Sequence, residues 1–270
     1  MTPPDRTRRR TVHPRWKALG REPRPQAIDL NDEQFTLNRI FKNDFFAVTA
    51  LYASAERQVV LKTHRTATFF LLPLRWLGRL SAAREAAALT RAAGIEGVPA
   101  LLGRWCDTGL IREFIPGHPL QKGERVPDDF HARLAATIRA IHDRNMAYVD
   151  LEKCENVIVG NDGRPYLIDF QIAWHWSKRW GGDLPPMRIL RRWFQTGDRY
   201  HLLKLQRRTR PDQLTPEQLA ASYRKPWYLR LHRAITYPFL RLRRKVLRRV
   251  DPDHRGGERG LVVPSDTWPP

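Results

Sequence analysis

The sequence predicts an α+β fold in two lobes, a small β-rich one followed by a helical one, and three observations predict it. Strand-forming runs cluster before residue 115 and are interrupted by one stretch of strong helix formers. An apolar stripe at helical spacing follows, with Phe130, Leu134, Ile138 and Ile141 inside 127–145. Behind it comes a polar hairpin, YVDLEKCENVIVGNDGRPYLIDFQIA, from Tyr148 to Ala173. Strands first and helices afterwards is the order of an α+β chain with a cleft between its two parts. The expected division is an arm at 1–27, a first lobe at 28–115, a second lobe at 116–227 and a C-terminal segment at 228–270.

Residues 1–27 are rich in arginine and proline without periodicity, which suits a disordered basic arm. From Phe35, FTLNRIFKNDFFAVTALY and then QVVLK at 58–62 read as successive strands with turn signals between them, the last closed by Lys62. The stretch FFLLPLRWLGRL is more apolar than a linker needs, so it either packs on the core or touches a membrane. Ser81 then opens SAAREAAALTRAAG, which predicts a helix capped by Ser81, ended by Gly94 and carrying Glu85 in its first turns. Two further strands are expected, from Ile95 to Arg104 and from Gly109 to Gly117. His142, on the helix over 127–145, is expected to pack or hydrogen-bond rather than to move protons.

In the hairpin, Val157-Ile158-Val159 and Tyr166-Leu167-Ile168 are short strands joined by Asn161-Asp162-Gly163, residues that tolerate positive φ. Asn156 enters one strand where Asp169 leaves the other, so their side chains can converge. Two such oxygen-bearing groups, with the Asp150 carboxylate nearby, are what a magnesium ion and a phosphate-bearing substrate need: few hard ligands, with water and phosphate completing the shell.

At these residues the chain resembles the protein-kinase-like superfamily. Asp150-Leu151 followed by Asn156 resembles its catalytic loop, Asp169-Phe170-Gln171 its Asp-Phe-Gly motif, and Val59-Val60-Leu61-Lys62 its Val-Ala-Ile-Lys. The resemblance implies a two-lobed kinase-like fold that uses ATP and magnesium. By it, Asp150 would orient or deprotonate the attacking hydroxyl, and Asn156 and Asp169 would hold the metal. Lys62, paired with Glu85, would contact the α and β phosphates, and backbone groups from Glu113 to Ile115 would bond the adenine edge. The acceptor would be a hydroxyl on protein serine or threonine, as in an atypical bacterial kinase. Size, basic character and the Asp-Phe-Gln ending are also similar to lipopolysaccharide core sugar kinases, whose acceptor is an envelope glycolipid.

The departures are specific. Asn156 follows Asp150 by one residue more than in the family, so the loop must bulge, and Tyr148-Val149 replaces the usual His-Arg. Without that arginine no activation-loop phosphate switch is expected. Glu152 stands where the family has lysine, with Lys153 the substitute if the register shifts. The loop over the nucleotide, Lys42 to Phe46, has no glycine, so either Lys42 and backbone amides serve in a different turn or ATP is held less tightly. The following segment, WHWSKRWGGDLPPM, offers one hydroxyl, Ser177, and no Ala-Pro-Glu motif. Asp198 is expected to open a helix beneath the catalytic loop.

A net charge of +20 over 270 residues makes anionic partners the natural ones: nucleotide phosphates, an anionic membrane surface or, with no aromatic platform or finger spacing to support it, nucleic acid. From Met187 to Val250, 18 Lys plus Arg face 3 Asp plus Glu, a net of 18 − 3 = +15. There Leu231, Ile235, Phe239, Leu242, Val246 and Val250 recur at helical spacing, a basic amphipathic helix that suits the catalytic domain, anionic lipid or nucleic acid. A polar tail follows. Two cysteines, Cys106 and Cys154, exclude a disulfide framework. No secretory signal or membrane-spanning run is legible, so a cytoplasmic protein is expected, soluble or peripheral to a membrane. A nucleotide-binding pseudokinase or scaffold is the alternative to an enzyme.

Overall fold

A computed structural model of the chain describes residues 17–68, 72–176, 182, 184–224 and 226. Its first part is one antiparallel sheet of six strands: β1 (Ala27–Leu30), β2 (Glu33–Asn43), β3 (Ala47–Ala53), β4 (Gln58–His64), β5 (Leu101–Trp105) and β6 (Gly109–Glu113). Their order is β1-β2-β3-β4-β6-β5. Asn31 and Asp32, both at positive φ, close the first hairpin, as two-residue loops that follow the twist of the strands require. Ile28, Phe35, Tyr52, Val59, Leu61 and Ile111 bury one set of alternating positions.

The helix between β4 and β5, α1 (Arg75–Ala92), starts six residues before Ser81, which therefore lies inside it and caps nothing. Pro73 breaks the preceding chain, and Gly78 lets the first turn touch the end of β4: a Cβ there would lie 2.1 Å from the Arg65 carbonyl oxygen. Glu85 is consequently central in α1, not near its start. The strand expected from Ile95 begins only at Leu101, because Gly97 at positive φ and Pro99 hold the intervening residues in turns.

The second part holds β7 (Gly117–Pro119), α2 (Phe130–Asp143), β8 (Met146–Ala147), β9 (Val157–Gly160), β10 (Pro165–Leu167), β11 (Trp174–His175), α3 (Pro185–Thr209) and α4 (Pro216–Tyr223). The hairpin β9–β10 forms as expected, with Gly163 at φ +76 in its turn, and unforeseen β7 joins its other edge. Short β11 pairs with β8. All four apolar residues of the predicted stripe are buried in α2. They share one core with Ala88 and Leu89 of α1 and Leu110 of β6, so the helical part is packed onto the sheet rather than tethered to it. This is the expected α+β architecture: an antiparallel β-rich first lobe with one helix, then a helical lobe carrying the polar hairpin.

Within the stretch expected as a basic arm, residues 17–26 are folded: Ala18 and Leu19 pack on Val48, and the Ala18 N–H donates to the Asp44 carbonyl at 2.8 Å. Residues 1–16, the apolar residues 69–71, Ser177 and the predicted basic helix and tail over 228–270 lie outside the described residues.

His131 of α2, buried with Nε2 2.7 Å from Thr209 Oγ1, has a measurable consequence. Burial, with Arg210 adding to it, pushes its pKa down from 6.5 to about 4. A depressed folded pKa means that its stabilising contribution is complete above the unfolded value and is lost as pH falls from about 6.5 towards 4, on the order of 3 kcal/mol. Urea unfolding across that window should therefore show wild type losing more stability than His131→Gln, by roughly that amount.

Candidate active site

Lys62 ends its run of buried β4 residues on the face turned toward α1, and α1 presents Glu85 to it. The Lys62 ammonium lies 2.9 Å from Glu85 Oε1 and 2.8 Å from Asp169 Oδ1, the latter contact joining residues 107 positions apart. His64 Nε2 approaches Glu85 Oε2 at 3.1 Å. Burial opposes the charge on Lys62, but Glu85 and Asp169 outweigh it and hold the pKa above the usual lysine range. The same contest ends with both carboxyls lowered. Burial raises the Glu85 carboxyl while Lys62 and His64 lower it; burial raises that of Asp169, and Lys62, Lys153 and Lys42 lower it further than burial lifts it.

The loop from Asp150 to Asn156 closes in a turn of 3₁₀ helix over Cys154–Asn156, with Leu151 and Cys154 buried beneath it. Asn156 Nδ2 folds back to Asp150 Oδ2 at 2.8 Å and to the Asp150 carbonyl at 3.2 Å. The amide nitrogen is thus spent on Asp150, leaving Asn156 Oδ1 as the acceptor. Lys153 Nζ donates to Asp150 Oδ2 at 2.7 Å. The Ile168 N–H donates to the Asn156 carbonyl at 3.0 Å, which sets Asn156 beside the residue preceding Asp169.

Four residues here take parts that the sequence did not reveal. Asp198 does not open a helix: it lies in the middle of α3, fully enclosed. Its carboxylate accepts from the N–H groups of Tyr148 (2.9 Å) and Val149 (2.7 Å) and lies 2.9 Å from His142 Nε2. Val149 sits at φ +71, an unfavourable conformation for a β-branched residue, immediately before Asp150. Tyr148 ties the loop to the hairpin: its hydroxyl donates to the Ile168 carbonyl, and its ring meets Phe170 edge-on at 5.1 Å. Arg112 is buried at the end of β6, opposite Val60 in the register and so on the Lys62 face of the sheet. Its alternation with Leu110 was the available signal.

At the far end of β6, the Glu113 N–H donates to Ala100 O at 2.9 Å and the Glu113 carbonyl accepts from Arg112 Nη1 at 3.1 Å. Among the described residues no hydrogen bond engages the backbone of Ile115. The glycine-free loop is closed by a carboxylate: Asp44 Oδ1 accepts from the Phe46 and Ala47 N–H groups at 2.8 and 2.9 Å, and Lys42 Nζ lies 3.1 Å from Asp44 Oδ2. Those two amides are therefore occupied, and Lys42, half-exposed and near enough to lower Asp169, is the loop's remaining cationic donor.

Of the predicted residues, Lys62, Glu85 and Asp169 are in direct contact, and so are Asp150 and Asn156. Glu113 and Ile115 follow one strand away from Lys62. Asp169 and Asn156 present a carboxylate and an amide oxygen, a donor set of the hard, sparse kind that suits magnesium. No family model and no curated protein matches the chain. Among solved structures it is similar to the Rio2 kinase from Chaetomium thermophilum, in its complex described as ADP/Mg2+-phosphoaspartate, at 18% sequence identity and a TM-score of 0.48. The similarity covers 69% of this chain and 61% of that one, so the chain spans about three fifths of that kinase.

Proposed function

We propose that the protein is an ATP- and magnesium-dependent phosphotransferase of the protein-kinase-like kind, acting in the cleft between its two lobes on a hydroxyl acceptor. The contact that carries this reading is Lys62 Nζ to Asp169 Oδ1, with Glu85 on the other side of the ammonium. One ammonium and two carboxylates sum to a single negative charge, which a divalent cation at Asp169 and Asn156 reverses. The cleft then suits a polyphosphate. Magnesium, when bound, supplies charge neutralisation on the phosphates. The chain's own groups do the rest: Lys62 and Lys42 orient the phosphates, backbone groups at Glu113 and Ile115 meet the base, and Asp150 receives the acceptor's proton, with Lys153 beside it. Phosphoryl transfer asks a protein for little beyond such positioning and neutralisation.

The acceptor is proposed to be a serine or threonine hydroxyl on protein. A hydroxyl of an envelope sugar or lipid is the second reading, favoured by the exposed basic and apolar face described below. The test is thermal stabilisation by ATP with and without magnesium, together with transfer of labelled γ-phosphate to protein and glycolipid acceptors. Wild type should be stabilised and should transfer. Lys62→Ala should lower turnover by about 10²–10³-fold, and Asp169→Asn should lose the magnesium-dependent part of the stabilisation. Stabilisation of wild type without transfer to any acceptor would favour a nucleotide-binding pseudokinase, and absence of both would overturn the reading.

A further inference from the structure

On the outer side of α1, Trp76 and Leu80 stand on the same face as Arg84, one turn apart in succession. The Arg84 guanidinium lies over the Trp174 ring at 5.2 Å, and Trp174 stacks on Phe194 of α3 at 5.8 Å. These contacts join three elements into one band on which Trp76, Leu80, Ile172 and Trp174 are each between 42% and 61% exposed. Isolated exposed apolar residues are ordinary, but a connected row of them is an interaction surface.

The charge of the band selects its partner. α1, residues 172–176 and the first ten residues of α3 contain seven arginines and a single acid, Glu85, which is buried. The acid beside them, Asp107, already pairs with Arg75 and Arg79. Tryptophan, aliphatic side chains and arginine on one face is the composition that seats at a lipid headgroup boundary, with the rings and aliphatic groups entering the interface and the guanidinium groups meeting lipid phosphates. A nucleic acid would stack on the tryptophans but has no use for Leu80 and Ile172. Among the described residues no helix is long and apolar enough to cross a bilayer, so the contact is a seating and not a span.

We propose that this band docks the protein on an anionic phospholipid surface. Trp174 lies five residues after Asp169, on a strand paired with β8, which ends three residues before Asp150. On the phosphotransferase reading, on which this one consequence rests, a hydroxyl in the headgroup layer is then brought to the Asp150 end of the cleft.

The experiment is cosedimentation of the full chain with vesicles of phosphatidylcholine alone and of phosphatidylcholine with phosphatidylglycerol. The comparison is wild type against Trp76→Glu/Leu80→Glu and against Trp76→Glu alone. All variants retain residues 228–250, so binding by that basic segment is common to every arm. Wild type should bind the anionic vesicles, salt should weaken the binding, and the double variant should lose at least about tenfold in partitioning with an unchanged melting temperature. Equal partitioning of wild type and variants would overturn the proposal, as would absence of vesicle binding or binding to nucleic acid alone. Stabilisation by magnesium and ATP, measured on the same samples, is independent of these outcomes, so failure of the seating and failure of the phosphotransferase reading are distinguished.

Discussion

Asp150→Asn is expected to lower turnover by about 10²–10⁴-fold while stabilisation by magnesium and ATP stays near that of wild type. The substitution keeps the shape of the side chain and retains an oxygen that can accept from Asn156 Nδ2, as Asp150 Oδ2 does at 2.8 Å. It removes the charge and with it the capacity to take a proton from a hydroxyl. Lys153, which donates to the same carboxylate oxygen at 2.7 Å, is half-exposed, so losing that ion pair changes stability by only about 1 kcal/mol or less. Nucleotide contacts belong to Lys62 and the β6 end on this reading, and neither touches Asp150. Single-turnover transfer of labelled phosphate, run beside the thermal shift, separates the two effects. Unchanged transfer would remove Asp150 from its assigned role. Loss of nucleotide binding along with transfer would mean that the loop supports the site rather than acts in it.

The parts of this arrangement that were legible in the sequence share a physical property: each is fixed by local chemistry. Asn161-Asp162-Gly163 dictates a hairpin whatever surrounds it, and the hairpin dictates that Asn156 and Asp169 leave it side by side. The run Val59-Val60-Leu61 dictates a buried strand, and its period places Lys62 on one side. The helix start was misread because the cap rule is local while the true start is tertiary: α1 can begin at Arg75 only because Gly78 leaves room for the Arg65 carbonyl. Arg112 carries no role in the sequence reading, and only the pairing with β4 shows that it lies inward beside Val60. The closure of the glycine-free loop by Asp44 was hidden for the opposite reason, since an aspartate in a turn has many local uses and sequence does not say which amides it captures.

Asp198→Asn is expected to combine the second large loss of function with a large loss of stability. Asp198 accepts from two backbone N–H groups and faces His142, and it is almost wholly enclosed. An asparagine there retains one acceptor oxygen and turns an amide N–H₂ toward groups that also donate. Leaving one or two buried donors without acceptors costs roughly 2–4 kcal/mol. The effect reaches further because the N–H of Val149 is one of those donors, and Val149 is held at φ +71, a conformation that costs about 1–3 kcal/mol and persists only while its surroundings enforce it. Releasing the N–H lets Val149 relax to negative φ, which rotates the neighbouring Asp150 away from Asn156. Turnover should therefore fall by more than the unfolded fraction accounts for, on the order of 10²-fold at temperatures where the variant remains folded. Val149→Gly tests the mechanism, because glycine adopts positive φ without strain. In the Asp198→Asn background it should restore part of the turnover, whereas a purely global destabilisation by Asp198→Asn would be left as it was, or worsened, by the added glycine. Urea unfolding and turnover of the two single variants and the double variant give the coupling directly, and a double variant no more active than Asp198→Asn alone would refute the strained-loop account.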